Sequence, residues 1–308
     1  ERDNLAPLHR ELTQVLRGLQ KSYEILFIDD GSLDGSIEVL REIRLHDEHV
    51  RTIRLARNTG QTAALACGLH NAKGAIVTAI DADGENDPAD IPRLIDKLDE
   101  GFELVSGWRT GRWMNSRFTR RIPSVAANSL ISWMTGVKMH DYGCTLKAYR
   151  REVIDHIHLY GEMHRFIPAH AAWVGATITE IPVQHHPRLH GKSKYGLART
   201  IKVVLDLLTV KFLGSYSTKP IYVFGGLGLS SISLSLVSLT LALLDKFVNG
   251  VSLIQSPLLL LAAMLFIIGV ELILMGFLAE ISVRTYHESQ AKPTYVVRRV
   301  VRKESTED

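Results

Sequence analysis

Two aspartates, Asp81 and Asp83, stand at the end of the apolar run Ala75–Ile80. A strand repeats every two residues, so both carboxylates leave its tip on the same side. Like charges held this close call for a counter-cation, and carboxylate oxygens suit Mg²⁺ or Mn²⁺. A divalent ion bound by one or two carboxylates completes its shell with water and substrate phosphates, so the pair implies a nucleotide-diphosphate site. A polar strand end followed by a helix cap is the competing reading, and the surroundings have to decide between the two.

Those surroundings are regular. Residues 1–19 are polar with helical period, placing Leu5, Leu8, Leu12, Val15, Leu16 and Leu19 on one face. The run 24–28 predicts a strand ending in Asp29-Asp30-Gly31-Ser32, and a helix follows over 35–44. Next come a strand over 50–55, a turn at Arg57-Asn58-Thr59-Gly60 and a helix through Ala72. The strand 75–80 precedes Asp81, Pro88 opens a helix to Leu98, and a strand lies near 103–106. Strands alternating with helices predict a mostly parallel sheet with helices on both faces. In such sheets ligands collect outside the carboxyl ends of the strands. Asp29, Asp30, Asp81, Asp83 and Arg109 all fall at such ends, which argues for one shared site. A first strand is expected ahead of Glu1.

The 308 residues are 46% apolar and 22% charged, and their net charge of +3, with no basic tract interleaved with aromatics, speaks against nucleic acid. Cys67 and Cys144 lack the spacing of a metal or redox motif and read as reduced packing residues. The apolar residues gather late. From Ile221 to Leu244 there is no charge, and at ~1.5 Å per residue this stretch is long enough for a bilayer. Pro257–Ala279 is similar but carries Glu271, which reads as a helix–helix contact, within the hairpin or between subunits, rather than a proton relay. Gly225, Gly226 and Gly228 read as close-packing residues of the first span. Only Asp245 and Lys246 are charged in the link, whereas Arg284, Lys292, Arg298, Arg299, Arg302 and Lys303 follow the second span. That asymmetry predicts a hairpin with both ends in the cytoplasm. Residues 195–212 read either as an amphipathic helix on the membrane surface or as an ordinary domain helix.

The strings Glu24-Ile-Leu-Phe-Ile-Asp-Asp-Gly-Ser, Arg57-Asn-Thr-Gly-Gln, Asp81-Ala-Asp, Asp141-Tyr-Gly-Cys and Gly191-Lys-Ser-Lys-Tyr occur in that order. Together with the hairpin they resemble the family 2 inverting glycosyltransferases of GT-A fold. More narrowly, they resemble the polyprenyl-phosphate glycosyltransferases related to dolichol-phosphate mannose synthase, in the bacterial two-span form.

The resemblance implies a Rossmann-like α/β catalytic domain over 1–190, a donor loop and interface helix over 191–218, a transmembrane hairpin over 219–284 and a basic tail over 285–308. It implies transfer of a sugar, UDP-linked by preference, onto a polyprenyl phosphate by a homo-oligomer, up to a tetramer, in the bacterial inner membrane with its catalytic domain facing the cytoplasm. Asp29 and Asp30 would contact the nucleoside, with Asn58 and Gln61 also on the donor side. Asp81 and Asp83 would hold metal and diphosphate, together with Glu85 where relatives usually carry Gln. Arg188, Ser193 and Lys194 would close over the diphosphate. Arg109 would take the acceptor phosphate, with Arg120, Arg121 and Ser124 as a second cluster. Asp141 stands where a general base is expected. A phosphate monoester, with its second pKa near ~6, is already mostly dianionic at neutral pH. Asp141 is therefore better read as an orienting or charge-balancing group. A processive polysaccharide synthase would carry Gln-x-x-Arg-Trp and more spans, neither found here. A non-catalytic binding relative is opposed by the intact Asp81/Asp83 pair.

Overall fold

A computed structural model describes residues 1–110, 128–157, 159, 161, 163–187, 206–212, 216 and 219–289. The chain divides into two units, Glu1–Val210 and Lys211–Asp308.

In the first unit, α1 (Arg2–Gly18) leads to β1 (Ile25–Asp29), α2 (Ser36–His46), β2 (Val50–Arg54), α3 (Gln61–Asn71) and β3 (Ile76–Ala79). Then follow α4 (Ile91–Asp99), β4 (Leu104–Arg109), β5 (Lys147–Arg150), α5 (Ile167–Trp173) and β6 (Ile178–Val183). Residues 128–135 and 206–212 are also helical. Strands β1 and β2 pair in parallel, Ile25 opposite Val50. The other four strands run in the order β3-β5-β4-β6. Strand β4 is parallel to β6, but β5 lies antiparallel between β3 and β4. The parallel expectation misses β5, which is directly preceded by the irregular segment 136–146. The chain enters it from a loop at the carboxyl ends of its neighbours and has to run back.

The period of two along β4 and β5 divides the core. Val105 and Ala148 face one cluster, with Leu5, Leu8 and Leu12 of α1 and Leu94 and Leu98 of α4. Leu104 and Tyr149 face the opposite one, with Leu69 of α3 and Ile167 and Ala171 of α5. Helices thus cover both faces. Leu94 and Leu98 are fully buried, which contributes roughly 1.5–3 kcal/mol per side chain. Strands β1 and β3 belong to separate sheets. A cavity of about 1350 Å³ lies between them, lined by Ile25–Ile28 on one side and Ile76–Ile80 on the other.

The second unit contains α6 (Ile221–Asn249) and α7 (Pro257–Ser289), each long and apolar enough to cross a membrane. They pack as a hairpin. Ser231, Ser235 and Ser238 of α6 donate to the carbonyls of Leu265, Ala262 and Leu258 of α7, at 2.7, 2.7 and 2.9 Å. The backbones meet where glycine removes the side chain. A Cβ on Gly228 would lie 2.6 Å from the Gly269 carbonyl, and one on Gly269 would lie 2.8 Å from that of Gly228. Gly226 has open space around it, and Gly225 meets only Ile221 of its own helix, so of the three expected packing glycines Gly228 alone makes the contact. Glu271 is exposed on α7, not held between the two helices. Large apolar side chains such as Leu229, Leu236, Phe266 and Phe277 cover the outside.

Candidate active site

At the carboxyl end of β1, Asp29 is buried, with Oδ1 accepting from Ser32 N at 3.1 Å and Arg54 Nε 3.4 Å from Oδ2. Asp30 reaches across to the loop before α3. It accepts from Thr59 N at 2.7 Å, Thr59 Oγ1 at 2.8 Å and Gly60 N at 2.8 Å. Burial works against the ionised form of Asp30, but these hydrogen bonds outweigh it and hold the carboxyl below its ordinary range. Gly31 makes this crossing feasible, with φ at +69° and its Cα so near residue 57 that a Cβ would fall 2.7 Å from the Arg57 carbonyl carbon.

Asp81 follows β3 and receives two neighbours. Gln61, the first residue of α3, donates through Nε2 at 3.1 and 3.3 Å, and Thr145 donates through Oγ1 at 2.5 Å. Burial, together with the Asp83 charge alongside, pushes the Asp81 carboxyl up; Thr145, Gln61 and Lys147 pull against that shift. Asp83 is buried and accepts from Glu85 N at 3.0 Å, a local turn that aims the carboxylate off the strand. Asp81, Asp83 and Glu85 all line the cavity.

Arg109 ends β4 and is 7% exposed. Its Nε and Nη2 donate to Asp141 Oδ2 and Oδ1 at 2.7 and 3.0 Å, a bidentate fork, while Gly143 N also donates to Asp141 at 3.0 Å. Arg109 lines the same cavity as the two aspartates. Gly107, two residues earlier, lets β4 approach this loop. A Cβ there would lie 2.9 Å from Val183 and 3.0 Å from the Cys144 sulfur.

The donor set is acidic oxygens at strand ends with Arg109 alongside. Carboxylate oxygens at a strand end suit Mg²⁺ or Mn²⁺, which take such groups together with substrate oxygens and water. Among the described residues no three His, Cys, Asp or Glu side chains converge as a ready-made cage.

The family model described as glycosyl transferase family 2 matches residues 3–158. A dodecaprenyl-phosphate galacturonate synthase of Rhizobium johnstonii is 40% identical over 304 residues, 97% of this chain and 90% of that protein. The chain belongs to glycosyl transferase family 2. An undecaprenyl-phosphate 4-deoxy-4-formamido-L-arabinose transferase of Salmonella choleraesuis is 38% identical over 316 residues, 99% of this chain and 92% of that protein. Mannosyl-3-phosphoglycerate synthase of Rubrobacter xylanophilus shares the fold, with a TM-score of 0.52 at 15% identity over 68% of this chain and 70% of that one. This family 2 member is a glycosyltransferase with the GT-A architecture expected from its motifs.

Asp30, Asn58, Gln61, Asp81, Asp83, Glu85 and Arg109 converge on the one cavity. Asp29 lies outside its wall and closes the turn after β1. Asp141 sits behind Arg109 and fixes it. Arg120, Arg121, Ser124, Arg188, Ser193 and Lys194 lie outside the described residues. Sequence reasoning missed Thr145 and Lys147, which flank the start of β5, and the pair Thr62–His164, whose Oγ1 and Nδ1 are 2.8 Å apart. His164 and Arg165 also line the cavity. The apolar alternation of a four-residue strand is too short a signal to have revealed β5. Cys144 is buried, and burial pushes its thiol up, in keeping with a packing role.

Proposed function

We propose that the protein moves a sugar from a nucleotide-diphosphate sugar, UDP-linked by preference, onto a polyprenyl phosphate at the membrane surface. One observation carries this reading: the aspartates ending β3 and the arginine ending β4 line a single cavity. The relatives named for dodecaprenyl- and undecaprenyl-phosphate chemistry support the lipid acceptor. The two apolar helices support a membrane hairpin, the basic residues after it favour a catalytic unit on the cytoplasmic side of the inner membrane, and the family resemblance favours a homo-oligomer.

In this reading Asp81, Asp83 and Glu85 hold the donor end. Bound Mg²⁺ or Mn²⁺ supplies charge neutralisation for the diphosphate. Arg109 binds the acceptor phosphate through its guanidinium face, oriented by Asp141. The acceptor oxygen attacks the anomeric carbon as the bond to the nucleotide diphosphate breaks, inverting the configuration. The phosphate reaches neutral pH mostly as the dianion, so Asp141 has no proton to remove. Arg120, Arg121 and Ser124 add acceptor contacts, and Arg188, Ser193 and Lys194 add donor contacts. The part of the cavity between β1 and β3 is apolar, lined by side chains such as Ile25, Phe27, Ile76 and Val77.

The test supplies the full-length chain with a panel of UDP- and GDP-sugars, Mg²⁺ and undecaprenyl phosphate, and follows label into the lipid phase. A lipid-linked sugar from one donor is expected. Label staying in the aqueous phase with every donor overturns the reading.

A further inference from the structure

Lys147 opens β5, and the strand register places it opposite Ala79 of β3 and Ser106 of β4. It therefore stands between the strand that ends at Asp81 and the strand that ends at Arg109. Its side chain is 3% exposed. Its Nζ donates to the Cys144 carbonyl and, at 3.5 Å, to that of Tyr142. Both carbonyls belong to the segment 141–145, whose ends grip different halves of the site. Asp141 takes the fork of Arg109, and Thr145 donates to Asp81.

Burying an ammonium costs several kcal/mol before its partners are counted, so a central strand position used for packing alone favours Leu or Met. The charged groups around Lys147 are Asp141 and Asp81, which attract it, and Arg109, which opposes it. Without the lysine, Arg109 would be the one buried cation left among the described residues to set against Asp81, Asp83 and Asp141.

We propose that Lys147 is the positioning residue that couples the two halves of the site, its ammonium holding segment 141–145 so that Asp81 and Arg109 address the same cavity. What the two halves bind rests on the transfer reading above; the holding is independent of it.

The experiment compares Lys147→Met, Lys147→Arg and Thr145→Val in the purified full-length chain. Mn²⁺ affinity is read by electron paramagnetic resonance, alone and with UDP or GDP, below the melting temperature of each variant. Thr145→Val weakens Mn²⁺ by about tenfold, the loss of one hydrogen bond to a charged group. Lys147→Met weakens it at least as much and also raises KM for undecaprenyl phosphate, whereas Lys147→Arg keeps the charge and stays near the wild type. A purely structural lysine would lower the melting temperature and leave Mn²⁺ affinity in place. Wild-type Mn²⁺ affinity in Lys147→Met overturns the proposal, as does a wild-type chain that binds no Mn²⁺ under any of these conditions. Should Lys147→Met fail to fold, Thr145→Val and Lys147→Arg decide by the same readout: unchanged affinity in the first, or a loss in the second, overturns it. If no donor yields a lipid product, the transfer reading fails while the Mn²⁺ measurements still decide on Lys147.

Discussion

The catalytic unit and the helical hairpin both bury polar side chains, but they satisfy them differently. In the catalytic unit several partners are other side chains far apart in sequence, as in Arg109 with Asp141 and Thr145 with Asp81. In the hairpin they are backbone carbonyls of the facing helix, reached by Ser231, Ser235 and Ser238. Side-chain pairs place charge in a cavity and make removal of either partner costly. Hydroxyls on carbonyls hold two helices together without placing any charge. One region is built to do chemistry, the other to be held in an apolar surrounding.

Substitutions can break that contrast at several strengths. Asp83→Ala should lower transfer by about 10³-fold or more, by analogy with losing one preorganised electrostatic group, while circular dichroism of the chain stays unchanged. Arg109→Met takes the bidentate partner from the buried Asp141 carboxylate, so chemical denaturation should show a loss of about 3–5 kcal/mol. Gly228→Val would drive a side chain into the Gly269 carbonyl, and a hairpin stability assay should register about 1–3 kcal/mol with the catalytic unit's own unfolding unaffected. Ser235→Ala in the same assay should cost only about 0.6 kcal/mol, the mean for an interhelical hydrogen bond in a bilayer.

A further effect concerns pH. His170 in α5 is held by burial at a pKa of about 4, below the usual 6.5. Between these values the unfolded chain binds a proton that the folded chain does not, so stability falls as pH drops from 6.5 towards 4. His170→Phe preserves a ring against Trp173, 4.7 Å away, and should flatten that acid limb in melting curves taken across pH.

How far the site was legible follows the same division. Strand ends announce themselves through an apolar run followed by acids, so Asp30, Asp81, Asp83 and Arg109 could be brought together from sequence alone. Asp29 shares that signature, yet its carboxylate serves Ser32 and Arg54, because a two-residue acidic string at a turn puts only one side chain over the cavity. Thr145 and Lys147 were hidden, since their importance comes from the antiparallel register of β5, a long-range pairing with no local pattern. In the hairpin, length and hydropathy revealed two helices long and apolar enough to cross a membrane, but not which glycine meets which. Gly228 needs Gly269 across the interface, and that pairing depends on the rotation of both helices. Glu271 faces outward from the hairpin, and its place around α7 depends on the same rotation.

The account turns on Arg109 serving the acceptor while the aspartates serve the donor, within one cavity. Steady-state kinetics of Arg109→Lys, with undecaprenyl phosphate and the nucleotide sugar varied in turn, test this most directly. The charge survives in that variant but the two-pronged grip does not. A raised KM for the lipid at an unchanged KM for the nucleotide sugar is the predicted result. A raised KM for the nucleotide sugar alone would contradict it.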